Sequence, residues 1–136
     1  MYSEYEVEMK ALIYGQKNIY NTLSASLKNE GIEMHKLGND FKTATNLIAN
    51  EKYDLAIVDS RSDNAINACH YIRENWNMPL ILVVDSLQAD WKWLKSIEAD
   101  GYIPFVKKSG ELSARARALL RRLLPRNNIQ VEIPGE

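Results

Sequence analysis

The stretch Leu80–Val84 is apolar at every position, and Leu55–Val58 is its close equal. A strand with one wet face alternates polar and apolar residues, whereas a strand with no polar position is covered on both sides. Two such strands in one chain imply a parallel sheet held between helices. The neighbouring segments agree. Met9–Tyr14 reads as a strand ending at Gly15, and Ile32–Leu37 as a weaker, partly alternating one. Tyr102–Val106 reads as a fifth strand, interrupted by Pro104. Proline lacks the amide donor that a ladder needs, so this strand belongs at a sheet edge.

Helical spacing fills the gaps. Ile19, Leu23 and Leu27 share a stripe, with Gly31 where a C-terminal cap is expected. Asn39 or Asp40 caps a second helix whose apolar face is Phe41, Ala44 and Ile48. Ile66, Cys69 and Ile72 mark a third, with Trp76 near its end. A fourth runs from about Leu87 to Ala99 on Leu87, Trp91 and Leu94. Trp91 is expected in the core; Trp93, two residues on, faces the other way and is expected at a contact surface. The last helix starts at about Gly110, packs Leu112, Ala116, Leu119 and Leu123, and ends at Pro125. Five strand–helix units make a doubly wound α/β domain with right-handed connections. The domain is expected over 1–124. Residues 125–136, where Ile129, Val131 and Ile133 alternate, read as a linker or the start of a following effector domain.

Composition narrows the function classes. At 136 residues the chain suits one domain, and 17 basic against 18 acidic residues exclude a basic nucleic-acid coat. The longest apolar run, Met78–Val84, falls far short of the ~20 residues that cross a bilayer. The acidic start, Met1 to Glu6, has no apolar stretch behind it, so no secretory leader and no membrane partner are expected. Cys69 is the single cysteine, which excludes an internal disulfide and a cysteine-rich zinc site. His35 and His70 have no second ligand at useful spacing. The expected compartment is the cytoplasm. Charge is unevenly spread: residues 107–126 hold seven basic side chains and one acid, leaving ten basic and seventeen acidic residues elsewhere. Such asymmetry fits nucleic-acid contact, a basic helix on an acidic partner, or a plain solvated face.

In an open α/β sheet, ligands bind beyond the carboxyl ends of the strands. The residues there are Tyr14, Gly15, Asp59, Val84, Asp85 and Phe105. The phrase Tyr53-Asp-Leu-Ala-Ile-Val-Asp59, with the order and spacing of the elements, resembles the receiver domain of bacterial response regulators over residues 9 to about 123. The stretch Glu111-Leu-x-Ala-Arg-x-Arg-Ala-Leu-Leu-Arg-Arg122 is similar, more narrowly, to the winged-helix, OmpR-type transcription-factor class. The resemblance implies a flavodoxin-like (βα)5 sheet of order 2-1-3-4-5 and a non-enzymatic role in two-component signal transduction and transcription regulation. It puts the phosphoacceptor on Asp59 and the family's switch aromatic on Tyr102.

The departures from that pattern carry as much meaning. The two acids that hold Mg²⁺ in the family fall on Tyr14 and Gly15, its Thr or Ser on Val84, and its lysine on Phe105. Phosphoryl transfer depends on positioning and on neutralising the charge of the moving group. Mg²⁺ needs more than Asp59 to hold it, Phe105 brings no cation and Val84 no hydroxyl. The site therefore reads as degraded, with Asp59 unused as a phosphoacceptor, no cofactor, and doubtful Mg²⁺. An aspartate ending a strand can instead accept from amides of the next turn, Ser60 to Asp63, a cap worth about 0.5–2 kcal/mol. Asp85 could replace a missing acid, but it follows the wrong strand.

Three functions compete. The first is a phosphorylation-independent module that forms a homodimer through the fourth helix, fifth strand and fifth helix. Its contact residues would be Lys92, Trp93, Lys95, Ile97, Asp100, Glu111, Leu112, Arg115 and Arg117, with Ile97, Leu112 or Trp93 as the apolar centre. A C-terminal DNA-binding domain in a longer chain would bring DNA as a further partner. The second is a phosphorylatable receiver using Asp59 with Mg²⁺. The third is direct nucleic-acid binding by the arginine-rich last helix. Arg115 and Arg122 share one side of that helix and Arg117 and Arg121 another, so no single reading face forms.

Overall fold

In a computed structural model, residues 9–37, 52–85 and 91–123 are described. Five strands are present among them: β1 (Met9–Tyr14), β2 (Ile32–Lys36), β3 (Leu55–Asp59), β4 (Leu80–Val84) and β5 (Gly101–Pro104). The helices are α1 (Lys17–Lys28), α2 (Ala65–Asn75), α3 (Trp91–Ile97) and α4 (Ser109–Leu123). All neighbouring strands pair in parallel, in the order β2-β1-β3-β4-β5. This is the expected flavodoxin-like sheet, with β5 and its Pro104 at an edge.

The pleat sends alternate side chains to two cores. On one face, Leu12, Ala56, Val58, Leu80, Leu82 and Val84 pack with Cys69 and Ile72 of α2 and Leu94 and Ile97 of α3. On the other, Ala11, Ile13, Ile57, Ile81 and Val83 meet Ile19, Leu23 and Leu27 of α1 and Leu112, Ala116 and Leu119 of α4. Every residue of β3 and β4 is buried, so Leu55–Val58 and Leu80–Val84 are apolar throughout for the reason expected. The one polar side chain among them is Asp59.

Several details differ from expectation. Ile66 is not on the buried face of its helix; it is 40% exposed, and Ala65 and Ala68 take the core positions beside Cys69 and Ile72. Gly31 lies two residues beyond the C-cap Asn29 and, at φ 80°, turns the chain into β2. The second helix, the first part of the fourth (Leu87), and the 125–136 segment lie outside the described residues, as does the side chain of Trp91.

Candidate functional site

Strand order reverses around β1, so the crevice opens where β1 and β3 end. Tyr14 and Asp59 close those two strands, and Gly15 follows the first. Asp59 is 0% exposed. Its Oδ1 accepts from the Arg61 amide at 3.0 Å and from Arg61 Nε at 2.9 Å, while Oδ2 accepts from Arg61 Nη2 at 3.0 Å. The turn also closes through its backbone, with the Ser62 amide donating to the Asp59 carbonyl at 3.0 Å. One of the expected amides therefore does bond Asp59. The larger contribution is a forked guanidinium, and Arg61 was absent from the expected site. An Asp-x-Arg step just past a buried strand was the available signal, since a tight turn folds residue i+2 back over residue i.

Arg61 reaches further. Its Cζ stands 3.7 Å from the centroid of the Phe105 ring, within the range of a cation–π contact. The cation beside Phe105 thus comes from the β3–α2 turn. The Phe105 amide donates to the Val84 carbonyl at 2.7 Å, which extends the β4–β5 ladder to this residue. Val84 itself is buried at the end of β4.

The β1 side is closed in a different way. A Cβ placed on Gly15 would lie 2.6 Å from Asp59 Cβ, so this backbone leaves no space there for an acidic side chain. Tyr14 is buried, and its hydroxyl donates to the Asp63 carbonyl at 2.6 Å, tying β1 to the β3–α2 turn. Burial, and then the nearby Asp63, raises its phenol above the ordinary value, so it stays a neutral donor. Asn64 completes the turn in the left-handed region at φ 63°, a conformation asparagine tolerates.

The expected contact residues divide. Lys92, Lys95, Glu111 and Arg115 are exposed, and Trp93 is half-buried against the α2–α3 core. Ile97 and Leu112 do not form the centre of an external patch: they are 6% and 2% exposed and belong to the two internal cores. Asp100 faces its own chain, accepting from the Leu80 amide at 2.7 Å and from Arg73 Nη2 at 3.4 Å. Arg117 turns to α1 and donates to Ser26 Oγ at 2.7 Å. Arg115 pairs with Glu111 one turn away at 2.9 Å. Tyr102, on the edge strand, is 37% exposed, with its hydroxyl 3.4 Å from the Leu94 carbonyl. Asp85 is half-buried after β4.

No protein-family model matches the chain, and no curated protein does. Solved structures match over nearly their whole length. The chain is similar to a two-component response regulator from Clostridium difficile, with 25% identity, TM-score 0.63, and coverage of 86% of this chain and 99% of that one. It is similar to the receiver domain of the TMAO respiratory system response regulator TorR at 21% identity and TM-score 0.63, covering 85% and 98%. An atypical orphan response regulator, described as having a phosphorylation-independent regulatory mechanism, matches at 19% identity and TM-score 0.58, covering 83% and 96%. The fold is that of response-regulator receiver domains. Among the described residues no helix is long and apolar enough to cross a membrane.

Proposed function

We propose that this chain is an atypical receiver domain, a pseudo-receiver that acts by protein contact without phosphorylation. One observation carries the reading: the phosphoacceptor position is fully buried and both its oxygens are already bonded to Arg61. A carboxylate must be open to attack a phosphoryl donor, and the charge on that donor must be neutralised by cations at the site. The residues present do not fit Mg²⁺. Among the described residues no three His, Cys, Asp or Glu side chains come together to hold a metal ion. The Gly15 position has no space for a further acid, and the nearest cation competes for the Asp59 oxygens.

The test is direct. The chain is incubated with Mg²⁺ and acetyl phosphate, and separately with beryllofluoride, while intact mass and amide resonances are followed. Neither a mass increment nor a saturable change at Asp59 is expected. Mg²⁺-dependent labelling of Asp59 would establish the alternative, a phosphorylatable receiver.

The contact in question is a homodimer through α3, β5 and α4, the fourth helix, fifth strand and fifth helix of the sequence reading. An edge strand is an open ladder, and a symmetric partner is one way to cover it. Lys92, Lys95, Glu111 and Arg115 supply exposed charge, and Tyr102 and Trp93 the apolar contribution. Exposed ion pairs contribute only about 0–1 kcal/mol each, so association should be weak and salt-sensitive. Sedimentation at two ionic strengths measures it, and a chain that stays monomeric at high concentration and low salt would remove the dimer. Direct nucleic-acid reading by α4 is disfavoured because three of its four arginines are bonded within the chain, to Glu111, Ser26 and Glu30.

A further inference from the structure

The strands β3 and β5 are not neighbours; β4 lies between them. Asp59 ends β3, and Phe105 follows β5. Arg61 nevertheless touches both, forked on the Asp59 carboxylate at 2.9 and 3.0 Å and stacked on the Phe105 ring at 3.7 Å. Its side chain therefore spans the carboxyl end of β4, where Val84 is apolar and offers no competing acceptor side chain. Only a planar, permanently charged fork meets both demands: two parallel bonds to a carboxylate along its edge and an aromatic ring against its face. An ammonium would satisfy one at a time.

The place that Phe105 occupies gives this contact its consequence. Phe105 opens the short connection through Val106, Lys107 and Lys108 into α4, whose first turn bonds back from the Leu112 amide to the Lys108 carbonyl at 3.0 Å. Lys107 and Lys108 are exposed, while Phe105 and Val106 pack partly buried against the α1–α4 core. The Arg61 stack and the Phe105 amide bond to Val84 add two directional restraints at the start of this connection.

We propose that Arg61 is a positioning residue that replaces both the metal and the lysine of a switching receiver with a permanent internal cation. It latches the buried Asp59 charge to Phe105 and so holds the 105–108 connection and the first turn of α4 in one arrangement. The inference rests on the phosphorylation-independent reading and adds how the site is held in a single state. The β5–α4 corner borders the proposed contact face, so the latch holds that border in the same single arrangement.

The experiment uses the whole chain and NMR of its amides and arginine side chains. In the wild type the Arg61 side-chain resonances should carry the ring-current displacement that an aromatic face imposes. Phe105→Leu, which keeps an apolar side chain, should abolish that displacement and shift the amides of Val106 to Lys108. Arg61→Lys should shift the same amides and accelerate exchange of the Phe105 amide roughly two- to thirtyfold, the span expected for losing a cation–π contact. In the Phe105→Leu background, Arg61→Lys should add little beyond residues 59–63, because the path is already cut. Changes confined to residues 59–63 in Arg61→Lys, or full additivity of the two substitutions, would overturn the latch. If Arg61→Lys fails to fold, the ring-current displacement and Phe105→Leu decide alone. Phosphorylation of the wild type would sink the functional reading and leave these couplings measurable, so the two failures are distinct.

Discussion

Gly15 and Asp59 approach each other so closely that a β-carbon on the glycine would stand 2.6 Å from the β-carbon of the aspartate. One hydrogen on Gly15 is what allows β1 and β3 to converge beneath the Arg61 fork. An acidic side chain at this position therefore does not fit unless the neighbouring backbone shifts.

The first prediction follows. Gly15→Ala should destabilise the domain by about 1–3 kcal/mol, the usual cost of overpacking, read from the urea midpoint. Gly15→Asp should cost at least as much and still show no saturable Mg²⁺ effect on that midpoint. A stable, Mg²⁺-responsive Gly15→Asp variant would contradict the packing.

The second concerns Asp59→Asn. A lost turn cap would cost about 0.5–2 kcal/mol, the figure expected from the sequence. Arg61 changes that: its side chain is only 19% exposed and would lose its anion. Breaking one side of a buried pair costs about 3–5 kcal/mol, and partial relaxation of Arg61 into solvent brings the expectation to roughly 2–4 kcal/mol. Denaturant titration of Asp59→Asn distinguishes the two ranges.

The third is a pH dependence. Cys69 is fully buried, and burial pushes its thiol from 9.0 up to about 12, with Arg73 pulling weakly the other way. The native state therefore keeps a proton that the unfolded chain releases. Stability is fully present below about pH 9 and falls as the pH rises towards 12, with a slope approaching ~1.4 kcal/mol per unit. Tyr14, also raised, adds to the fall above its ordinary value of 10.0. Urea midpoints measured across this window should decline, and Cys69→Ala should flatten the first part of the decline.

The fourth concerns the left-handed residue after α3. Glu98 has φ 56°, its amide donates to Lys95 at 3.1 Å, and its carbonyl accepts from Arg73 Nη2 at 2.7 Å. A side chain in that region costs about 1–2 kcal/mol, which glycine avoids. Both bonds use backbone atoms and would persist. Glu98→Gly should therefore raise stability by about 1 kcal/mol, measured by thermal or urea unfolding.

Much of the fold was legible because hydrophobic periodicity reports burial directly. Leu80–Val84 and Leu55–Val58 announced covered strands, and Pro104 announced an edge, since each statement depends only on what a backbone position can tolerate. Ile66 was placed wrongly because Ile66, Cys69, Ile72 and Ala65, Ala68, Cys69, Ile72 both satisfy helical spacing. Packing space close to the sheet favoured the smaller alanines. Ile97 as part of an outer patch fails because it packs into the α2–α3 core. Leu112 as part of that patch conflicts with its own spacing, which puts it with Ala116 and Leu119 on the packed face where the structure keeps it.

The covered strands Leu55–Val58 and Leu80–Val84, the edge place of the strand that holds Pro104, and the residue types at Tyr14, Gly15, Asp59, Val84 and Phe105 were legible in the sequence itself. They are local facts of residue type and position. The strand order was implied only by the resemblance. That Arg61 turns back onto Asp59, that it crosses β4 to lie on Phe105, and that Arg117 and Asp100 bond to distant parts of their own chain were decided by tertiary structure alone. A charged side chain settles where the assembled fold places counter-charge and low dielectric together, and those places exist only after strands distant in the chain have been brought side by side.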